Sequence, residues 1–398
     1  MITYVNRSLF TFVMPMKIQT LYKQHFCSGL GGRYITFDHI RPLLNFTSNY
    51  ITWEEIGSSQ NELPIVNIKI GKGPKRILAW SQMHGNESTT TKAVFDLLKL
   101  FDQKEVLQGE IEEFFASYTL SLIPMLNPDG AALYTRENAN GVDLNRDAAE
   151  LSQIESRVLR SAFEDFQPHL CLNLHDQRSI YGLASGHPSV VSFLAPSEDQ
   201  QRTVTATRIE AMKEIIRLNR MLQEHIPGMV GRYDDTFNHK CVGDAFTAAG
   251  VPTVLFEAGH FPGDYNRERT RELIFYALLE LFGITAHSPD VADHMDYFDI
   301  PENKVNFKDI ILRNVKFHKD DEPVSLGIQY RETLVDDKIE FIPVADSIGD
   351  LSNFYAHLEL QGKEKEILVN YQQNFDIGDK IATITEKTSK KTLFSSNT

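Results

Sequence analysis

Cysteine is scarce. Three residues, Cys27, Cys171 and Cys241, lie far apart and form no Cys-x-x-Cys pair. That argues against a disulfide framework and against a thiolate zinc site. Reduced core thiols are expected, Cys171 inside an apolar run, with one bridge plus one free thiol as the alternative. Long apolar runs are also missing: nothing approaches the roughly 20 residues that a membrane span needs. The short apolar segment 9–16 follows Arg7 but has no small-residue cleavage site after it, and Met16-Lys17-Ile18 reads as an alternative start. A cytoplasmic protein without a membrane span is therefore the expectation. An excess of positive charge is lacking as well. Lys and Arg number 40 against 54 Asp and Glu, a net charge of −14. A chain of that sign is not a general phosphate-backbone binder, so no nucleic-acid partner is expected; a local cationic pocket is compatible with it. Internal repeats and low-complexity blocks do not stand out.

What is present is a globular composition. The 398 residues are 42% hydrophobic and 24% charged, enough for one large core or two domains and unlike a disordered chain. Up to about Ala286, apolar runs alternate with amphipathic segments, the pattern of an α/β protein. Buried strands are predicted over 77–80, 118–123, 170–174 and 252–256. Helices are predicted where Val94, Leu97, Leu98 and Phe101 share a face, around Leu151, Ile154, Val158 and Ala162, around Met212 to Leu222, and around Ile274 to Leu281, ending at Gly283. After Ser288 the texture changes to short β-type runs (324–330, 338–344, 355–360, 366–369 and 380–385) between Asp, Asn, Gly and Lys clusters. The expected organisation is a lead-in segment 1–50 packing on a central domain 51–288, then a small, mostly β domain over 296–398, with the boundary inside 286–299.

The polar groups sit at informative places. The strand 77–80 runs into Ser81-Gln82-Met83-His84-Gly85-Asn86-Glu87, and a helix opens at about Ser88. The strand 170–174 runs into His175-Asp176, and the strand 252–256 into Glu257. Open α/β sheets bind ligands outside the carboxyl ends of their strands, so these three ends can converge on one site. His84 and Glu87, three apart at a strand-to-helix turn, can face one ion. With His175 they make a two-His, one-carboxylate set that leaves a fourth position open, as a catalytic zinc site requires. A His-x-x-Glu pair alone is a weak signal, and most of the 13 histidines are ordinary surface or core residues. The coincidence of three strand ends is what gives the set its weight.

His84-Gly85-Asn86-Glu87, Asn127-Pro128-Asp129-Gly130, Asp143-Leu144-Asn145-Arg146, His175 and Glu257, in that order, resemble the zinc carboxypeptidase family of carboxypeptidase A, compact bacterial members included. The likeness runs from about residue 51 to 283 and leaves out the C-terminal region. It implies an α/β fold, a mixed and mostly parallel sheet flanked by helices, here followed by the small C-terminal mostly-β domain. It implies one Zn²⁺ ion held by His84, Glu87 and His175, Glu257 as the carboxylate that activates water, and Arg136 as the oxyanion-stabilising arginine. Asn145 and Arg146 match the pair that grips the substrate's terminal carboxylate. The substrate would be a peptide or peptide-like molecule with a free carboxylate, and the activity that of a proteolytic metallopeptidase, a hydrolase. The roles make independent physical sense: a guanidinium and a metal stabilise a developing oxyanion, and a bidentate Arg suits a carboxylate.

The sequence departs from the family in places. Tyr233 is the candidate for the substrate-capping tyrosine, a few residues out of register. Arg178, after His175, is a candidate for a further carboxylate-binding group. Cys241-Val242-Gly243-Asp244 falls near the specificity pocket without revealing a substrate. Two other readings compete. One is a zinc-dependent N-acyl amino acid deacylase of the aspartoacylase and succinylglutamate desuccinylase type, which shares the His-Gly-Asn-Glu core and a trailing β domain. The other is a non-catalytic zinc-binding module, against which the retained Glu257 argues. No residue after Ser288 forms a ligand-like set, so the C-terminal region is expected to stay outside the chemistry.

Overall fold

The computed structural model describes residues 18–103, 107–285 and 293–396. The apolar segment 9–16 and most of the expected boundary, 286–292, lie outside them. The strands of the first part are β1 (Ile51–Ser58), β2 (Pro64–Gly71), β3 (Lys75–Ser81), β4 (Tyr118–Ile123), β5 (Leu170–Asp176), β6 (Tyr181–Gly182), β7 (Val191–Leu194), β8 (Val230–Arg232) and β9 (Thr253–Ala258). All but β6 form one eight-stranded mixed sheet in the order β1-β2-β4-β3-β5-β9-β7-β8. The central strands β4, β3, β5 and β9 are mutually parallel. Being covered on both faces, they read as continuous apolar runs, the signal of a buried parallel sheet.

The helices are α1 (Ile18–His25), α2 (Phe37–Ile40), α3 (Thr89–Gln103), α4 (Gln108–Ser117), α5 (Pro128–Leu133), α6 (Ile154–Phe166), α7 (Ala206–Gln223), α8 (Val242–Ala248) and α9 (Glu268–Leu281). They pack on both faces. Ile77 and Ala79 of β3 join the larger core with Phe101, Met212 and Leu278, whereas Leu78 and Trp80 face Leu159, Phe163 and Phe246. Alternate residues of one strand thus feed two cores. Leu151, expected on the face of α6, precedes that helix with φ +49°. The segment before β1 is tied in by buried Leu21, Leu30 and Ile40. Arg271 of α9 adds an ion pair to Asp96 and hydrogen bonds to the Cys27 and Leu30 carbonyls.

The C-terminal region is strand-rich. It comprises β10 (Lys304–Val305), β11 (Phe307–Lys316), β12 (Val324–Val335), β13 (Lys338–Gly349), β14 (Tyr355–Val369), β15 (Thr383–Glu386) and β16 (Thr392–Ser395). Six strands form a separate sheet, β13-β12-β11-β14-β15-β16, around Ile310, Leu326, Ile328, Ile367 and Ile384. The runs 355–360 and 366–369 are one long strand, and the run from 380 becomes a strand only at Thr383. β11 and β16 were not anticipated from the sequence. β10 pairs antiparallel with β6, joining the two parts. Among the described residues no helix is long and apolar enough to cross a membrane.

Candidate metal centre and substrate cleft

Parallel pairing brings the strand ends together. His175 of β5 stands opposite Glu257 of β9, and Ser81, the last residue of β3, opposite Leu174. From Ser81 the chain turns through Met83 to His84, with Glu87 just before α3. One donor atom each from His84, Glu87 and His175 lies within 4.8 Å of the others, and all three residues are buried. The two Nδ1 atoms are 3.1 Å apart, and each is 2.9 Å from an oxygen of Glu87. Two imidazoles and a carboxylate converging on one point fit a divalent cation of the zinc type. Burial opposes ionisation of Glu87, but the two imidazoles outweigh it and hold the carboxyl well below its usual range.

The loop owes its shape to the Asn-Pro-Asp-Gly motif. Asn127 caps α5 by accepting a hydrogen bond from the Gly130 amide and donates to the Met83 and Glu137 carbonyls. Asp129 accepts from the Ser59 hydroxyl and the Asn61 amide. Gly85 lies flat on α5: a Cβ there would stand 1.9 Å from the Gly130 carbonyl carbon. This motif is scaffolding for His84 and Glu87.

Asp143 has a role the sequence did not reveal. His84 Nε2 donates to its carboxylate at 2.9 Å, which fixes the ring so that Nδ1 faces the donor cluster. Arg136 bridges the same carboxylate and Glu87, with its Nη1 3.2 Å from Glu87 Oε1 and Nη2 3.0 Å from Asp143 Oδ2. Glu257 is half-buried, and its Oε2 is a buried acceptor with no partner. Burial, then the nearby Glu87 and Asp176 carboxylates, push its carboxyl well above the usual range.

A cleft of about 380 Å³ joins these groups, its wall including His84, Glu87, His175, Arg136, Arg146 and Glu257. Asn145 and Tyr233 line it too. Asn145 is buried, its side-chain oxygen accepting from the Val242 amide, while Arg146 is exposed and donates to the Asn145 carbonyl. Tyr233 packs on Tyr181 with ring centroids 5.3 Å apart. Burial, then Glu257, raise its phenol pKa. The cleft therefore brings together the eight residues expected to hold the metal, act on the substrate or bind it: His84, Glu87, His175, Glu257, Arg136, Asn145, Arg146 and Tyr233. It also contains Asn173, fully buried with neither amide atom hydrogen-bonded. Inside an apolar strand that residue gave no sequence signal. Cys27 and Cys171 are buried free thiols, and Cys241 is a free thiol at the cleft edge.

Comparison with known proteins agrees with the fold and this donor set. Residues 39–182 match the zinc carboxypeptidase family model. That segment holds His84, Glu87, Arg136, Asn145, Arg146 and His175 and stops before Tyr233 and Glu257. The resemblance carried by the motifs up to His175 is thereby borne out. Carboxypeptidase 2 of Trichophyton rubrum is 26% identical over 104 residues, 26% of this chain and 19% of that one. A γ-D-glutamyl-L-diamino acid endopeptidase 1 of Lysinibacillus sphaericus is 39% identical over 83 residues, 20% of this chain and 21% of its own. The chain thus spans about a fifth to a third of the length of the curated relatives it matches. A solved carboxypeptidase A-like structure from Shewanella denitrificans aligns with a TM-score of 0.50 at 15% identity, covering 60% of this chain and 65% of that one. It shares the fold.

Proposed function

We propose that the protein is a zinc metallocarboxypeptidase that hydrolyses the C-terminal peptide, or peptide-like amide, bond of a substrate with a free carboxylate. The observation that carries this reading is the buried His84, Glu87 and His175 cluster in one cleft with Arg146 and Glu257. The three residues would hold one Zn²⁺. A zinc ion bound there supplies Lewis-acid polarisation of a carbonyl and makes a water far more acidic. Glu257 takes the proton from the attacking water, as its high proton affinity suits, and passes it to the leaving nitrogen. A carbon–oxygen bond forms at the scissile carbonyl, the carbon–nitrogen bond breaks, and the proton ends on the released amine. Arg136 offers its guanidinium to the oxyanion. Arg146 and Asn145 hold the terminal carboxylate, and Tyr233 closes over the bound residue.

The strand-rich C-terminal region is the one feature that favours the deacylase reading, so the test must separate the two. Purified protein is offered peptide free acids, the matching peptide amides and N-acyl amino acids, with and without a chelator. Release of the C-terminal residue from free acids only, abolished by chelator and restored by zinc, is expected. Turnover of N-acyl amino acids alone would replace this reading with the deacylase. No chelator-sensitive turnover of any of them would remove both.

A further inference from the structure

A second cavity, of about 410 Å³, opens beside the cleft. Glu87, Arg136, Asp176, Gln177 and Arg178 belong to the walls of both, so the two cavities meet at the donor cluster. The far wall of the second is not from the α/β part. Gln329, Tyr330, Arg331 and Glu332 of β12, with Val344 and Asp346 of β13, supply it. The region expected to stay outside the chemistry therefore faces the site directly.

The walls carry four guanidinium groups and four carboxylates, but the pairs they form leave two of the guanidiniums out. Each of its carboxylates is engaged. Glu87 is held by the histidines and Arg136, and Asp176 accepts from the Thr89 amide and hydroxyl. Glu332 accepts from Tyr134 and pairs with Arg33 at 3.3 Å, and Asp346 pairs with Lys308. Arg33 is taken up by Glu332, and Arg136, which also holds Glu87 and Asp143, is the group assigned to the oxyanion. Two guanidinium groups remain: among the described residues Arg178 and Arg331 have neither a hydrogen bond nor an ion pair, and both are exposed in the cavity wall. Burial opposes ionisation of Glu332, but Arg33, Tyr134 and Arg267, with a smaller share from Arg178, hold its carboxyl below the usual range, so the field of Arg178 reaches β12. The buried oxygens Asn86 Oδ1, Gln329 Oε1 and Asp176 Oδ1 in the same wall also lack partners; as acceptors they call for N–H donors such as those of a peptide backbone, not for the carboxylate itself.

We infer that this second cavity is a binding site for the acyl side of the substrate, and that Arg178 and Arg331 select a free carboxylate there. The inference rests on the carboxypeptidase reading for its direction. With the terminal carboxylate at Arg146 and the scissile bond at the donor cluster, the chain leaves through the cavity walled by β12. The substrate class is a peptide with an acidic residue just before the scissile bond, so that it carries carboxylates on both sides. Arg331 makes the C-terminal region part of substrate recognition.

The test compares two peptide free acids with the same C-terminal residue and either Glu or Gln at both acyl-side positions. Turnover is measured on the zinc-loaded full chain, and Kd on its Glu257→Gln variant, which needs no turnover. The Glu peptide is expected to be favoured about tenfold in kcat/KM and Kd, as paired charge-assisted contacts at a partly open site allow. Arg331→Met should cut both ratios severalfold, with Arg178 keeping the remainder, and Arg331→Lys should keep more of the preference than Arg331→Met. A Kd ratio near one in the unaltered chain overturns the inference while leaving the carboxypeptidase reading intact. So does a ratio that Arg331→Met leaves unchanged. The Kd preference without turnover of any peptide supports the anion site and removes the carboxypeptidase reading instead.

Discussion

At the scale of single residues, Asp244 links the cleft to pH. It is 7% exposed at the start of α8 and lines the cleft with Arg146. Burial pushes its carboxyl up to about 7, against hydrogen bonds from the Asn238 and Asp244 backbone and the weaker pull of Arg146 and Arg208. An unfolded Asp titrates near 3.9, so between about pH 4 and 7 the folded state holds the extra proton. Its contribution to stability therefore falls as pH rises through that window and stays low above it. Asp244→Asn should be more stable than the parent at pH 8 by roughly 1–3 kcal/mol and indistinguishable at pH 4, measured by urea unfolding. Ionised Asp244 also opposes a substrate carboxylate, so KM should rise above pH 7 in the parent and less in the variant. His84, Glu87, His175 and Glu257 were legible in the sequence because each ends a buried strand or the turn after it, where side chains gather. Asp143 and Asn173 were not. The first acts through a contact 59 residues distant along the chain, and the second hides in an apolar run.

At the scale of elements, the loop between β3 and α3 depends on α5. Gly85 is required by close approach: a side chain there meets backbone atoms of Gly130 and Ala131 at 1.9 and 2.2 Å. Gly85→Ala should displace His84 and Glu87, costing about 3 kcal/mol or more and lowering zinc occupancy on metal analysis. Asn127→Ala removes a helix cap worth about 1 kcal/mol and strips two carbonyls of their donor. It should lower stability by about 2–4 kcal/mol without altering any group that touches substrate. The long buried strands and amphipathic helices were readable because their periods are strong. β1 is the edge strand, with β2 next to it, and the exposed polar residues Thr52, Glu54 and Glu55 break the apolar run of β1. β11 carries Lys308, Asp309 and Arg313 among its apolar residues; Asp309 is fully buried because Gln329, Tyr265 and the Tyr330 amide satisfy it. A pattern rule cannot foresee partners that arrive from other strands.

At the scale of the whole molecule, two sheets with separate cores meet beside the donor cluster. The sequence showed that the texture changes after Ser288 but not which face the second sheet would present, since that is decided by pairings between distant segments. Glu332 is central to the join. It accepts from Tyr134 and pairs with Arg33, whose guanidinium is otherwise buried 3.9 Å from Asp176. Glu332→Gln should cost about 2–3 kcal/mol, because it leaves a buried cation poorly compensated; thermal unfolding would show it, and an unchanged midpoint would mean that the contact is dispensable. The proposed function stands or falls, however, on whether Glu257 serves the donor cluster of His84, Glu87 and His175. The most direct measurement is single-turnover hydrolysis of a peptide free acid by Glu257→Gln, with zinc content determined on the same sample. One zinc per chain with a rate lowered by about 10²–10⁴-fold is the predicted result. One zinc per chain with a rate within a few-fold of the parent would contradict it.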